Sequence, residues 1–203
     1  GRCVLVRRLP TGMIEDITPE PFSVRSRVHE YGGGAYTVGD GFIIFSNDLD
    51  QRLYIQKFGD EPVAFSPERL LRYADGVLDI ARNRIIVVCE DHTNEGTEPA
   101  NSIVSLDLGS GRLDILASGY DFYSSPCLDP EGSTLAWLCW NHPNMPWDGT
   151  ELRKAAIDST GGLEDSHLVG GGEDESIFQP LWAPDGALHF VSDRTGWWNL
   201  YRS

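Results

Sequence analysis

Gln179-Pro-Leu-Trp-Ala-Pro-Asp-Gly-Ala-Leu-His-Phe-Val-Ser-Asp-Arg-Thr-Gly-Trp-Trp-Asn-Leu-Tyr-Arg202 reads as a strand, a turn, a strand, a turn and a third strand. Pro184-Asp185-Gly186 is the first turn: proline presets φ and glycine accepts a positive one. Leu188 to Ser192 alternates apolar and polar residues, which gives a strand one face toward each side of a sheet. Asp193 to Gly196 is the second turn, and the third strand begins near Trp198.

The same plan recurs upstream. Ser125 to Leu138 carries Pro130 and Gly132 where the later copy has Pro184 and Gly186, and Leu128 where it has Trp182. A weaker copy runs from Gly76 to Val88, with Asn83 in the turn. The first runs from Ala35 to Ser46, with Asp40-Gly41 as a tight hairpin signal. Aligned on Tyr36, Ile80, Leu128 and Trp182, the copies lie about 44, 48 and 54 residues apart, near the spacing of β-propeller blades. Third strands follow at Gln51–Lys57, Asn101–Leu108, Thr150–Ala155 and Asn199–Arg202, and fourth strands at Leu113–Leu116 and Ser166–Val169. Four strands per unit is the blade pattern, and no window shows sustained helical spacing.

The expectation is therefore an all-β chain. Residues 1–203 form a partial β-propeller of about four four-stranded blades, near 28–70, 71–118, 119–170 and an incomplete 171–203. Each blade has two apolar faces and must pack on its neighbours to bury them. Trp182 is expected to fill one such interface.

Composition narrows the function. The 203 residues carry 31 acidic and 16 basic side chains, a net charge of −15. That argues against nucleic acid and anionic lipid as partners, since both need basic patches. No run of about 18 uncharged apolar residues is present, so no membrane-spanning helix is expected. No long apolar run follows Arg2, and no signal peptide is expected there. Of the four cysteines, Cys89 and Cys139 sit in apolar strand patterns, and none forms a CxxC pair. A reducing compartment, and so a cytoplasmic location, is expected; a disulfide framework or zinc site is not.

Three segments in order resemble the propeller of the prolyl oligopeptidase family: His29-Glu-Tyr-Gly-Gly-Gly-Ala-Tyr36, Asn144-Met-Pro-Trp-Asp-Gly-Thr-Glu-Leu152 and Trp182 to Tyr201. The likeness runs from about Val28 to Arg202 and is greatest to the dipeptidyl aminopeptidase and acylaminoacyl peptidase-like branch. It implies a two-part serine peptidase, in which a propeller restricts access to an α/β-hydrolase domain holding a Ser-Asp-His triad. The partners it implies are short peptide substrates of the full-length enzyme, the hydrolase domain and further blades. The hydrolase domain is not contained in these 203 residues, and four blades are fewer than the seven or more such propellers have. A TolB-like propeller acting as an interaction scaffold is the alternative, and a glycan-processing propeller enzyme is a third. Exposed blade edges are expected to favour self-association.

No catalytic, cofactor-binding or metal-binding residue is assigned, and no cofactor is expected. No serine has glycines two residues away on both sides, as a nucleophile elbow requires. His29-Glu30-Tyr31-Gly32-Gly33-Gly34 is neither HExxH nor a phosphate loop. It reads as a tight turn entering an inner strand, with a carboxylate-binding backbone as the sharper alternative. Asp193 and Arg194 read as a strand-ending turn. Asn47, Asp48 and Asp50 lack the glycine and terminal glutamate of a calcium loop and read as a hairpin turn. Glu173, Asp174 and Glu175 read as a solvated loop. Pro143 to Gly149, around Trp147, reads as packing between blades, against the alternative of lining a substrate entrance.

Overall fold

Alternation in one strand sets the architecture. In Arg84-Ile-Ile-Val-Val-Cys-Glu-Asp91, Ile85, Val87 and Cys89 point into one apolar cluster, and Ile86 and Val88 into another. A single strand thus serves two interfaces, because successive side chains leave a strand on opposite faces. The computed structural model describes residues 1–94, 96 and 98–203. Strands β1 (Val6–Arg8) and β2 (Ile14–Asp16) form a two-stranded hairpin. The first four-stranded sheet holds β3 (Tyr36–Val38), β4 (Phe42–Ser46), β5 (Leu53–Lys57) and β6 (Val63–Ala64). The second holds β7 (Leu71–Asp79), β8 (Arg84–Asp91), β9 (Ala100–Asp107) and β10 (Leu113–Ser118). The third holds β11 (Phe122–Leu128), β12 (Thr134–Trp140), β13 (Glu151–Ala156) and β14 (His167–Gly171). The last has three strands, β15 (Ile177–Trp182), β16 (Leu188–Ser192) and β17 (Asn199–Arg202). All pairings are antiparallel meanders, and neighbouring sheets touch through their first strands, β3 to β7, β7 to β11 and β11 to β15. These are the blades of a propeller, with the first strands innermost.

The core lies between blades. Ile44 and Leu53 of the first blade meet Tyr73, Ile85, Val87 and Leu106 of the second. Ile86, Val88 and Ile103 on the second blade's other face meet Tyr123, Leu135, Trp137 and Cys139 of the third. Ala136, Leu138 and Leu152 then meet Ile177, Leu188 and Phe190 of the last. The β1–β2 hairpin lies outside the repeats read from the sequence. The segment around it caps the first blade, with Leu5, Ile17 and Phe22 against Ile43, Phe45 and Tyr54.

Two expectations change. The repeats align on a different residue of the second copy. Inner strands β7, β11 and β15 each carry a bulge at a non-glycine residue with positive φ: Asp75 (56°), Ser125 (53°) and Gln179 (53°). Counting from these bulges, Leu78 matches Leu128 and Trp182, whereas Ile80 sits in an exposed 3-10 turn. The extra residue in each bulge shifts the register that alternation alone would give. Trp182 does join the interface of the third and last blades, its indole N–H donating to the Cys127 carbonyl at 3.2 Å, but it is only half-buried. Trp137, 3% exposed, is buried in the interface of the second and third blades. Trp137→Ala is expected to cost about 3–5 kcal/mol, and Trp182→Ala less than Trp137→Ala; denaturant melts of the two variants check the order.

Candidate functional site

The triple glycine of the His29–Gly34 loop lies against the inner edge of the second blade. Asp75, in its left-handed conformation, donates its own N–H to the Gly34 carbonyl at 2.8 Å. Its carboxylate accepts from the Gly34 N–H at 2.6 Å and from the Ser125 N–H at 3.0 Å. One side chain thereby ties the first, second and third blades at their inner strands. The glycines are required by this close approach: a Cβ on Gly33 would stand 2.9 Å from both the Ala74 Cβ and an Asp75 oxygen, and one on Gly34 would stand 3.0 Å from the same oxygen. The loop is the tight turn that the sequence implied. The Gly34 N–H does bind a carboxylate, and it belongs to this chain.

The start of the same loop borders a cluster of ionisable and aromatic groups. Glu90, at the end of β8 and 3% exposed, accepts from the His29 N–H at 2.6 Å and faces His92 Nε2 at 3.0 Å and Arg72 at 3.7 Å. Arg72 also pairs with the exposed Glu30, and this bond holds the Glu30 carboxyl below its ordinary range. The His29 ring sits edge-on to Phe122 and Trp140, which stack on each other at 5.3 Å. His142, paired with Asp121 at 3.1 Å, tilts against Phe122. His29 Nε2 is buried and meets no partner among the described residues. Burial lowers the His29 pKa, with Glu90 and Asp75 pulling the other way. Burial, then the charges of Asp75 and Glu90, raise that of Tyr31.

This face has imidazoles and carboxylates but no assembled nucleophile. Among the described residues, neither His92–Glu90 nor His142–Asp121 is continued by a hydrogen bond to a serine, threonine or cysteine hydroxyl or thiol. A base without a nucleophile within hydrogen-bond reach does not make a triad. Burial pushes the thiols of Cys89, Cys127 and Cys139 up to about 12, which keeps them protonated and unreactive.

The remaining candidates separate. Asp193 accepts from the Ser176 N–H at 2.9 Å, while Arg194 pairs with Glu175 at 2.9 Å and lies 4.3 Å over the Tyr201 ring. Asn47, Asp48 and Asp50 close a hairpin, with Asp48 bound by Arg27 and Asp50 by Asn47 and the Tyr54 hydroxyl. Glu175 is committed to Arg194 and to the Ser192 hydroxyl, so the acidic run is only partly solvated. Trp147 is 63% exposed and lies with Pro146 beside Phe178, Val191 and Trp198 of the last blade. The Ser176 hydroxyl donates to the Pro146 carbonyl at 2.6 Å, so this loop reaches from the third blade to the last. Sequence reading passed over the Glu90–His29 bond and the Asp75 tie. Their partners lie 61, 41 and 50 residues apart, and the one available signal was a polar residue followed by glycine or proline inside a strand, as in Asp75-Gly76, Ser125-Pro126 and Gln179-Pro180.

No protein-family model matches the sequence, and no curated protein does. Solved structures match over the whole chain. A crystal structure of puromycin hydrolase superposes with a TM-score of 0.92 at 36% identity, over 99% of this chain and 34% of that one. A puromycin-hydrolyzing peptidase of Mycobacterium tuberculosis gives 0.90 at 38% identity, over 100% of this chain and 34% of that one. A putative TolB from Agrobacterium tumefaciens gives 0.63 at 13% identity, over 97% and 64%, a likeness of fold alone. The chain is a propeller segment of the prolyl oligopeptidase family. More particularly, it corresponds to the N-terminal propeller part of puromycin hydrolase and spans about a third of that protein's length.

Two outcomes are expected from the geometry. Asp75→Ala removes two charge-assisted hydrogen bonds and leaves a left-handed alanine, so it should lower stability by about 2–4 kcal/mol. Asp75→Asn should lose less, and denaturant titration of both variants checks this. His29 has a lowered folded pKa, so below the ordinary value of 6.5 the unfolded chain takes up its proton first and stability falls with acidification. The loss between pH 7 and pH 5 should be shallower in His29→Gln, read as melting temperature against pH.

Proposed function

We propose that this chain is the non-catalytic propeller of a serine-type oligopeptidase, restricting access to a hydrolase domain elsewhere in the longer protein. The observation that carries the reading is the end-to-end match to one third of the puromycin hydrolases at 36–38% identity. The aromatic, ionisable face around His29, Phe122 and Trp140 is compatible with it. In this reading the substrates are short peptides or aminoacyl amides, cleaved through an acyl-enzyme formed on a serine outside residues 1–203. Acylaminoacyl or dipeptidyl release and a cytoplasmic site of action are the finer expectations that go with it. The propeller acts by exclusion: a closed ring of rigid blades admits an extended chain and turns away a folded one.

The test compares two proteins. The intact protein should hydrolyse aminoacyl and short peptidyl amides and lose rate steeply as the peptide lengthens, whereas purified residues 1–203 should release no product. Turnover by the 203 residues alone, sensitive to a serine-directed inhibitor, would overturn the non-catalytic role. An intact protein that binds a protein partner and cleaves no amide would favour a scaffold instead.

A further inference from the structure

Each four-stranded blade begins and ends at the rim that carries His29. Inner strands β7 and β11 start there, at Leu71 and Phe122, and outer strands β10 and β14 finish there, at Ser118 and Gly171. A meander of four antiparallel strands returns to the rim it left. The chain therefore passes from blade to blade on this rim, and a further domain joined to either end of the propeller is joined at it. Strand β12 also ends here, at Trp140, and residues 141–149 follow as a rim loop.

That loop is tied along its length. Asn141 Oδ1 accepts from the Asp121 N–H at 2.8 Å, and Asp121 Oδ2 accepts from the His142 N–H at 2.9 Å. The Asn144 side chain donates to the Glu173 carbonyl at 2.8 Å, and the Pro146 carbonyl is held by Ser176. The loop is thus set in place before any ligand arrives. What it presents is His142. Imidazole Nδ1 meets Asp121 Oδ2 at 3.1 Å, and the ring leans on Phe122 with centroids 4.8 Å apart. The His142 N–H, and then its ring, hold the Asp121 carboxyl below its ordinary range, so the carboxylate accepts and Nδ1 donates. Nε2 is left as the acceptor. It has no hydrogen-bond partner among the described residues, on a side chain 62% exposed. His142 stands between two clefts of about 390 and 300 Å³ and lines both. No lysine or arginine lines either one. Glu98 and Asp121 border the first; Glu173, Asp174 and Glu151, the last paired with Arg153 at 2.7 Å, border the second.

We propose that His142 is a specificity-determining residue of the peptidase, its Nε2 accepting a hydrogen bond from the free α-amino group of the substrate. An imidazole nitrogen with an open lone pair takes an N–H donor. The charge around it is of the sign that favours an ammonium and disfavours a peptide's terminal carboxylate. Asp121 is a positioning residue, which fixes the tautomer and the plane of the ring, and the stacked Phe122 and Trp140 are the floor on which the ring rests. The inference rests on the peptidase reading, in which the hydrolase domain joins the propeller at this rim.

The intact protein is assayed with an aminoacyl amide and with its desamino counterpart, in which hydrogen replaces the amine. The second is measured as a substrate or, where it is not cleaved, as a competitive inhibitor. His142→Ala should raise KM for the free-amine substrate about tenfold with little change in kcat, and should shift the constant of the desamino compound far less. His142→Gln, whose side-chain carbonyl also accepts, should recover part of the preference for the amine. Melting temperatures of both variants should stay near that of the wild type, which separates a lost contact from a lost fold. Equal shifts for the two compounds in His142→Ala, or none, overturn the inference and leave the peptidase reading standing. An intact protein that cleaves no amide overturns both.

Discussion

The interior strands of the two middle blades have two masters. β8 sends alternate residues into the interface with the first blade and the interface with the third, and β12 does the same for the second and last. A sheet built of such strands has no protected side of its own and gains its stability by being stacked, so blade order and blade stability are one property. The rest of the molecule follows from that constraint. Turns and charged clusters are displaced to the two rims, because the faces are taken.

The rims do different things. One gathers His29, Glu90, His92 and the stacked Phe122 and Trp140 around the loop that enters the first blade. The other gathers Asp79, Arg82 and Arg84 beneath the turns of the third blade. Both contain a nearly buried carboxylate, and the two are handled differently. Glu90 meets a backbone N–H and an imidazole, with Arg72 further off. Asp79 meets two guanidinium groups, each of which also reaches a turn of the third blade.

Strand positions, turn residues and the repeat were legible in the sequence because they rest on local chemistry. Pro184 and Gly186, Pro130 and Gly132, Asn83 and Gly41 mark their turns by what their own backbones permit. The third-strand and fourth-strand segments follow from alternation. The family resemblance was legible in the same way, through three ordered segments. The rest depended on geometry that no local rule encodes. The bulge at Asp75 shifts the register, so an alignment on apolar residues placed Ile80 where Leu78 belongs. Arg84 reaches Gly161 across 77 residues and Arg82 reaches Gly132 across 50.

The contact between the triple glycine and Asp75 also constrains how this sequence can drift. Positions 33, 34 and 75 occupy one shared volume, with distances of 2.9–3.0 Å already claimed by any added Cβ. A side chain at 34 is admissible only in a chain that has given up the carboxylate at 75, one at 33 must displace Ala74 as well, and a chain without that carboxylate must tie its inner strands another way. Positions 33, 34, 74 and 75 are therefore coupled across two blades, and neither of the two glycines is free to change singly.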